Sequence, residues 1–453
     1  MARLTQHPDS RNGELKIMSF SKNVAWTFAT RIVMILSSVG TSVIVARWLG
    51  PDGFGTLAVL NVAVAVALQL GSAGLPSANT YFIARDKSSI KAVWANALTF
   101  GIFAGTLLTL GVIFLFRIQP SLFGHISTSL IVIAAVSIPF QLISLLGLNV
   151  FLGVNRVVHF NVLEAAAQSF GLLNAVLALI ILSSSLRLLI SLNTAAGILM
   201  ALLVVWMIHR MLKGLSEGLQ FGINIDLFKR MARYGIKFHI AVVASMLIFR
   251  ADLLIVNHFR SAGEVGVYAV ASQVATMLML LPGVIGTLLL PRVASSYDAR
   301  GEMTMRVTRH TAFVMLFICL AAIPASFLLP FFYGEDFNAA RVQLLILLPG
   351  IYLIGIESVL VQHFSSIGLP AAIPMFWLIT LGLNIALNLT FVPAFGAMAA
   401  AIISSASYAL MFALVVLYFR AKTGNSFSMT LLLRPSEIRD LFTRRNTNRL
   451  ASR

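Results

Sequence analysis

The sequence predicts an all-α integral membrane protein, twelve transmembrane helices in two pseudo-symmetric six-helix lobes, and three observations carry that prediction. Of 453 residues, 58% are hydrophobic and 11% charged, against roughly 25% charged in soluble domains. Apolar runs of about 20 residues, enough to cross a hydrocarbon core, recur from end to end. None alternates with the period of a strand, and a span whose backbone must satisfy itself in lipid is then a helix.

The elements follow in order. A polar segment, 1–22, precedes the first lobe (23–209), whose spans fall at 23–46, 55–78, 94–116, 128–151, 160–183 and 188–208. With no separate cleavable signal ahead of it, the first span is expected to direct insertion. A polar connector occupies 210–234. There Leu227, Phe228, Met231 and Tyr234 share one helical face and Lys229, Arg230 and Arg233 the other, the pattern of an interfacial amphipathic helix. The second lobe (235–420) carries spans at 236–257, 265–290, 311–333, 342–363, 371–392 and 396–419, and a basic tail covers 421–453. Pro76, Pro139, Pro282, Pro324 and Pro349 lie in or beside spans as points of flexure.

The two lobes are related by a repeat. "IVARWLGPDGFGTLAV" (44–59) aligns without a gap on "IVNHFRSAGEVGVYAV" (255–270). The offset equals six spans, an even number, so both copies enter from the same side and the repeat is parallel. In each lobe the stretch is a short turn between two helices, with Gly50, Pro51 and Gly53 supplying turn chemistry and Gly55 and Gly266 opening the helix that follows. No Lys-Ser/Thr follows it, so it is not a phosphate-cradling loop.

Charge sets the expected topology. Of 33 Lys and Arg residues, 26 fall in the tails and one set of loops, Lys237 among them at the edge of its span, five in the opposite loops, and two, Arg31 and Arg250, further inside spans. The positive-inside rule places both termini in the cytoplasm. Topology and attraction to anionic headgroups account for the net charge of +17, so nucleic acid is not an expected partner and membrane lipids are. The single cysteine, Cys319, excludes an intrachain disulfide and Cys-based metal sites. No metal spacing, Ser/His/Asp array or Walker sequence occurs, and short outer loops leave no room for a catalytic domain. Neither cofactor nor enzymatic activity is expected.

Polar residues inside spans are expensive in lipid and mark cavities or partners. Thr27, Arg31, Ser38 and Thr41 form one stripe on the first helix. Arg31 has no acid nearby in sequence, which suits either a side chain that snorkels to the inner headgroups or a cavity cation awaiting an anion, since a guanidinium fork fits phosphate. On the seventh span His239, Met246, Arg250 and Asn257 share a stripe. Asp252, about 200° further round, is placed with Ser245 against a neighbouring helix. Asn161, Glu164, Gln168 and Gly171 make a third stripe. Asn61, Gln69, Gln168, Trp377, Asn384 and Asn388 are candidates for cavity and sugar contacts, and Glu164, Asp252 and Glu357 for ion coupling.

Three stretches carry a family resemblance: "IVARWLGPDGFG", "FRADLLIVNHFRSAGEVGVYAVA" (249–271) and "GLNIALNLTFVPAFGAMAAA" (382–401). With "FLGVNR" (151–156) they resemble the polysaccharide-transporter branch, the O-antigen and exopolysaccharide flippases, of the multidrug/oligosaccharidyl-lipid/polysaccharide exporter superfamily. The resemblance implies two lobes forming a V that opens alternately to either face, and a polyprenyl-diphosphate-linked oligosaccharide as cargo. It also implies a bacterial inner-membrane location and work alongside a polysaccharide polymerase and export machinery. Arg31 has the spacing of an arginine that holds the diphosphate in the related lipid II flippases, and Arg250 is its expected companion. Two other functions are kept in view: a drug or cation antiporter of the same superfamily, which needs cavity acids more than arginines, and a membrane polymerase or ligase, which the short outer loops disfavour.

Overall fold

A computed structural model describes residues 9–432 and 437, apart from 125, 215–221, 297–300 and 367. Among the described residues there is no strand. Ten helical segments are long and apolar enough to cross a membrane. Eight of them run to between 21 and 32 residues, and two, Ala29–Gly71 and Ala372–Thr423, to 43 and 52. Each of the long ones covers two of the spans expected from the sequence and is broken by one left-handed glycine, Gly50 (φ 64°) in the first and Gly396 (φ 61°) in the second. The expected count of twelve is therefore not a count of separate helices. At both breaks a whole interhelical turn has shrunk to a single residue.

The turn chemistry explains the compression. Pro51 directly follows Gly50, and its fixed φ and missing N–H suit the first helical position. The helix thus resumes at Pro51 rather than at Gly55. In the repeat copy the helix begins at Ala262, ahead of Gly266, and Ser261 takes the cap, its hydroxyl accepting from the Glu264 backbone N–H at 3.2 Å. One expected span is divided instead: Thr128–Val136 gives way to Ile138–Gly153 at Ser137, with Pro139 in the new first turn. Val157–Ala175 ends in a π-helical stretch, Val176–Ile181.

The chain forms two compact units, 1–240 and 241–453. The first packs about Trp94, Leu142, Leu146, Phe151, Val204 and Ile208, all fully buried. Small residues bring its helices together: a Cβ on Gly105 would lie 2.4 Å from Pro139 Cα, and one on Gly147 2.5 Å from Val204, the close approach that small residues allow between membrane helices. In the second unit the helix Asn338–Ser366 is buried along most of its length. Its Gly350 sits against the Ser405 backbone, and its Phe364 against Tyr418 and Phe419.

The connector, expected on the membrane surface, packs its apolar face on the first unit. Residues 225–234 are the start of the long helix Ile225–Phe259. Leu227 and Met231 are buried in the first unit's core, with Phe228 and Tyr234 packed beside them, while Lys229, Arg230 and Arg233 are exposed. Asn96 holds the entry to this helix: its amide donates to the Asn224 carbonyl at 2.9 Å and accepts from the Asn224 N–H at 3.0 Å. The Asn224 side chain in turn caps the Leu227 N–H at 2.9 Å. The apolar face covers protein, so it is not left for lipid. The tail sequence "RDLFTRRNTNR" lies outside the described residues. Ahead of it Phe427–Leu431 forms a short helix, and buried Arg309 donates to the Met429 carbonyl and in two places to the Glu437 carboxylate.

Candidate functional site

The site begins with the polar stripe of the first helix, which meets the helix Val157–Ala175. Asn161 donates to Thr27 Oγ1 at 2.7 Å, the Ser37 and Ser169 hydroxyls lie 3.4 Å apart, and Thr41 stands against Gly171. Between these rungs the Arg31 guanidinium lies 3.2 Å from Glu164 Oε2. Residue numbers rise together on both helices, so the two run parallel and the rungs form a ladder.

Arg31 has no acid nearby in sequence, and packing brings it one from another helix. Two residues assigned separate roles from the sequence, Arg31 for an anion and Glu164 for ion coupling, are one ion pair. The pair is open: the Arg31 side chain is 38% exposed and that of Glu164 29%. Glu164 Oε2 makes no hydrogen bond although it faces the guanidinium, so the contact is electrostatic and poorly aligned. Gln168, one turn beyond Glu164, is exposed, as is Asn61, while Gln69 is half-buried. Arg31, Glu164 and Gln168 thus line an accessible polar face on the first unit.

The candidates of the second unit lie differently. Asp252 is buried and accepts from the Tyr268 hydroxyl, from Ser404 Oγ at 2.9 Å and from the Leu253 N–H at 2.8 Å. It does face neighbouring helices, but Ser245 is not with it, since the Ser245 hydroxyl donates to the Val242 carbonyl of its own helix. Tyr268 and Ser404 were not singled out from the sequence. The available signal was their polarity inside spans, Tyr268 just after the second turn motif and Ser404 one helical turn before Ser407.

Asn384, Asn388 and Trp377 share one buried stripe. Asn384 donates to Ser407 Oγ at 3.0 Å, and Asn388 donates to the Asn384 carbonyl at 2.9 Å. Their amide N–H groups are spent on protein, the usual use of a polar group between membrane helices, while Asn388 Oδ1 is buried without a hydrogen-bond partner. Glu357 is buried on the central helix, with Oε1 unpartnered. Arg250 is half-buried, and among the described residues no carboxylate comes within 4.0 Å of it. Among the described residues no group of His, Cys, Asp and Glu is arranged to hold a metal.

This architecture, apolar helices in two units with polar contacts between helices, is that of a multi-pass membrane protein, and its fold is that of the multidrug/oligosaccharidyl-lipid/polysaccharide exporters. Solved structures agree. The inward closed conformation of the lipid II flippase MurJ is similar at TM-score 0.74 and 15% identity, over 88% of this chain and 87% of that one. An inward-facing multidrug resistance MATE family transporter of the MOP superfamily is similar at TM-score 0.71 and 13% identity, over 86% and 94%. A MOP superfamily transporter from Pyrococcus furiosus is similar at TM-score 0.58 and 13% identity, over 89% and 94%. Comparison with curated protein sequences gives no match. The chain belongs to the polysaccharide biosynthesis protein family, whose sequence pattern it matches over residues 20–296.

Proposed function

We propose that the protein is a flippase that carries polyprenyl-diphosphate-linked oligosaccharide repeat units across the cytoplasmic membrane, by alternating access, for surface or extracellular polysaccharide synthesis. One observation carries this reading: within a polysaccharide-biosynthesis family chain, an arginine in the first part of an apolar span keeps 38% of its side chain open. A guanidinium there is tolerated where it meets water and an anion, and its planar fork fits a diphosphate. No bond is broken. The protein's task is to hold the charged headgroup and sugars out of lipid while the polyprenyl tail stays in it. Arg31 is the assigned diphosphate ligand and Arg250 the second candidate. Exposed amides such as Gln168 and Asn61 are suited to sugar hydroxyls. Both termini lie in the cytoplasm of a bacterial cell, and a polymerase with export machinery takes the product onward.

The test is export of polymer, with lipid-linked repeat units on the cytoplasmic leaflet measured in cells holding each variant at matched membrane abundance. Losing a charge-assisted contact of about 1.5–3 kcal/mol weakens binding roughly tenfold to a hundredfold. Arg31→Ala is therefore expected to stop export with cargo accumulating inside, and Arg31→Lys to retain part of it. Normal export by Arg31→Ala would overturn the assignment. Proton- or sodium-driven efflux of organic cations by the purified protein, without cargo movement, would favour the antiporter.

A further inference from the structure

Among the described residues two arginine–glutamate pairs join residues far apart in sequence, and they are opposite in character; a third, Arg260–Glu264, is local to one turn. Arg309 and Glu437 are nearly sealed, at 4% and 12% exposure, and joined through both guanidinium donors and both carboxylate oxygens. Arg31 and Glu164 touch through one nitrogen and one buried oxygen at 3.2 Å, without hydrogen-bond alignment, and both side chains remain part-exposed. Among the described residues the other polar contact of the Arg31 guanidinium is Met34 Sδ at 3.8 Å, a weak acceptor. A pair built to hold two helices together would resemble the first. The second pair is also not needed for that task, because the Asn161–Thr27 and Ser37–Ser169 contacts already join the same helices on either side of it.

We infer that Glu164 is an exchangeable counter-ion: it neutralises Arg31 when no cargo is bound and gives way when a diphosphate takes the guanidinium. The inference rests on Arg31 being the diphosphate ligand. An uncompensated cation inside the span would be costly in the empty protein, so a partner is required. A tight bidentate partner would shut the site, whereas a single misaligned contact leaves most of the fork available. Displacement also sets release, because the carboxylate competes for the guanidinium and helps expel the headgroup at the far leaflet. Glu164 is thereby a positioning residue that trades affinity for turnover.

The experiment measures binding of farnesyl diphosphate, a short polyprenyl diphosphate, to the purified full chain in detergent, and cargo movement in proteoliposomes. Four proteins are compared: wild type, Arg31→Ala, Glu164→Gln and the double variant. Removing a competing half-open ion pair should tighten binding about twofold to fivefold. Glu164→Gln is expected to bind more tightly and turn over more slowly, lowering KM and kcat together. The gain should vanish in the double variant, since it acts only through Arg31. Glu164→Ala gives the same comparison if Gln perturbs the helix contact. Should wild type and Arg31→Ala bind equally, the diphosphate role of Arg31 falls and the exchange falls with it. Arg31-dependent binding that Glu164→Gln leaves unchanged or weakens, in monodisperse protein, overturns the exchange alone and makes Glu164 a helix-joining residue.

Discussion

The Glu264 carboxylate accepts a hydrogen bond of 2.6 Å from the backbone N–H of Ala397, the first residue after the Gly396 break. It therefore caps a helix start more than a hundred residues away, where a negative charge is favoured by the free N–H groups. Arg260 completes the knot, its Nε 2.8 Å from the other Glu264 oxygen. The turn that repeats the first-lobe motif thus ties down the break in the last long helix.

Gly396 has no room for a side chain. A Cβ there would lie 1.9 Å from Glu264 Oε1 and 2.9 Å from Arg260 Nε, whereas at Gly50 nothing lies within 4 Å. Both glycines have positive φ, so alanine costs about 1–2 kcal/mol of backbone strain at either. Gly396→Ala must also displace the Glu264 cap. It should lower thermal stability in detergent clearly more than Gly50→Ala, by a further 1 kcal/mol or so. Equal losses would mean that the cap contributes nothing.

Asp252 is surrounded by donors from three places in the second unit. Tyr268→Phe removes one without changing shape and leaves a buried carboxylate short of a partner, at a cost of about 1–3 kcal/mol. Thermal unfolding of the purified variant should show that loss, and Ser404→Ala a similar one. A Tyr268→Phe protein as stable as wild type would show that the bond is not needed.

Asn96 fastens the connector through both polar atoms of its amide. Asn96→Leu should keep the helix bundle folded while releasing residues 222–228. Amide exchange there should rise about fivefold to thirtyfold, corresponding to about 1–2 kcal/mol for the lost bonds. Unchanged protection would assign the docking to Leu227 and Met231 alone.

The distribution of 26 basic residues against five predicts sidedness. Reporter fusions after Arg210 should read as cytoplasmic, and reporters inserted at Asp52 as external. Reversal of either would break the assigned orientation.

The sequence by itself determined the class of protein, the placement of most spans and the turn at Gly50, because these depend on local quantities. Run length and composition decide whether a segment lies in lipid, and a Gly-Pro step decides where a helix breaks. The helical period was also enough to put Arg31 on a polar stripe and to separate it in azimuth from its apolar neighbours. What the period does not contain is the identity of the helix that the stripe will meet.

That choice belongs to the tertiary structure. Packing of the first helix against Val157–Ala175 turned two separately assigned residues, Arg31 and Glu164, into one ion pair. Packing in the second unit gave Asp252 its partners Tyr268 and Ser404, and Asn384 its partner Ser407. The same held for the connector, whose apolar face reads equally well as membrane-seeking or core-seeking until Asn96 and the first unit's core are seen beneath it. A stripe fixes the direction in which a side chain leaves its helix, and only the order in which helices pack decides whether it meets a carboxylate, an amide or an open space.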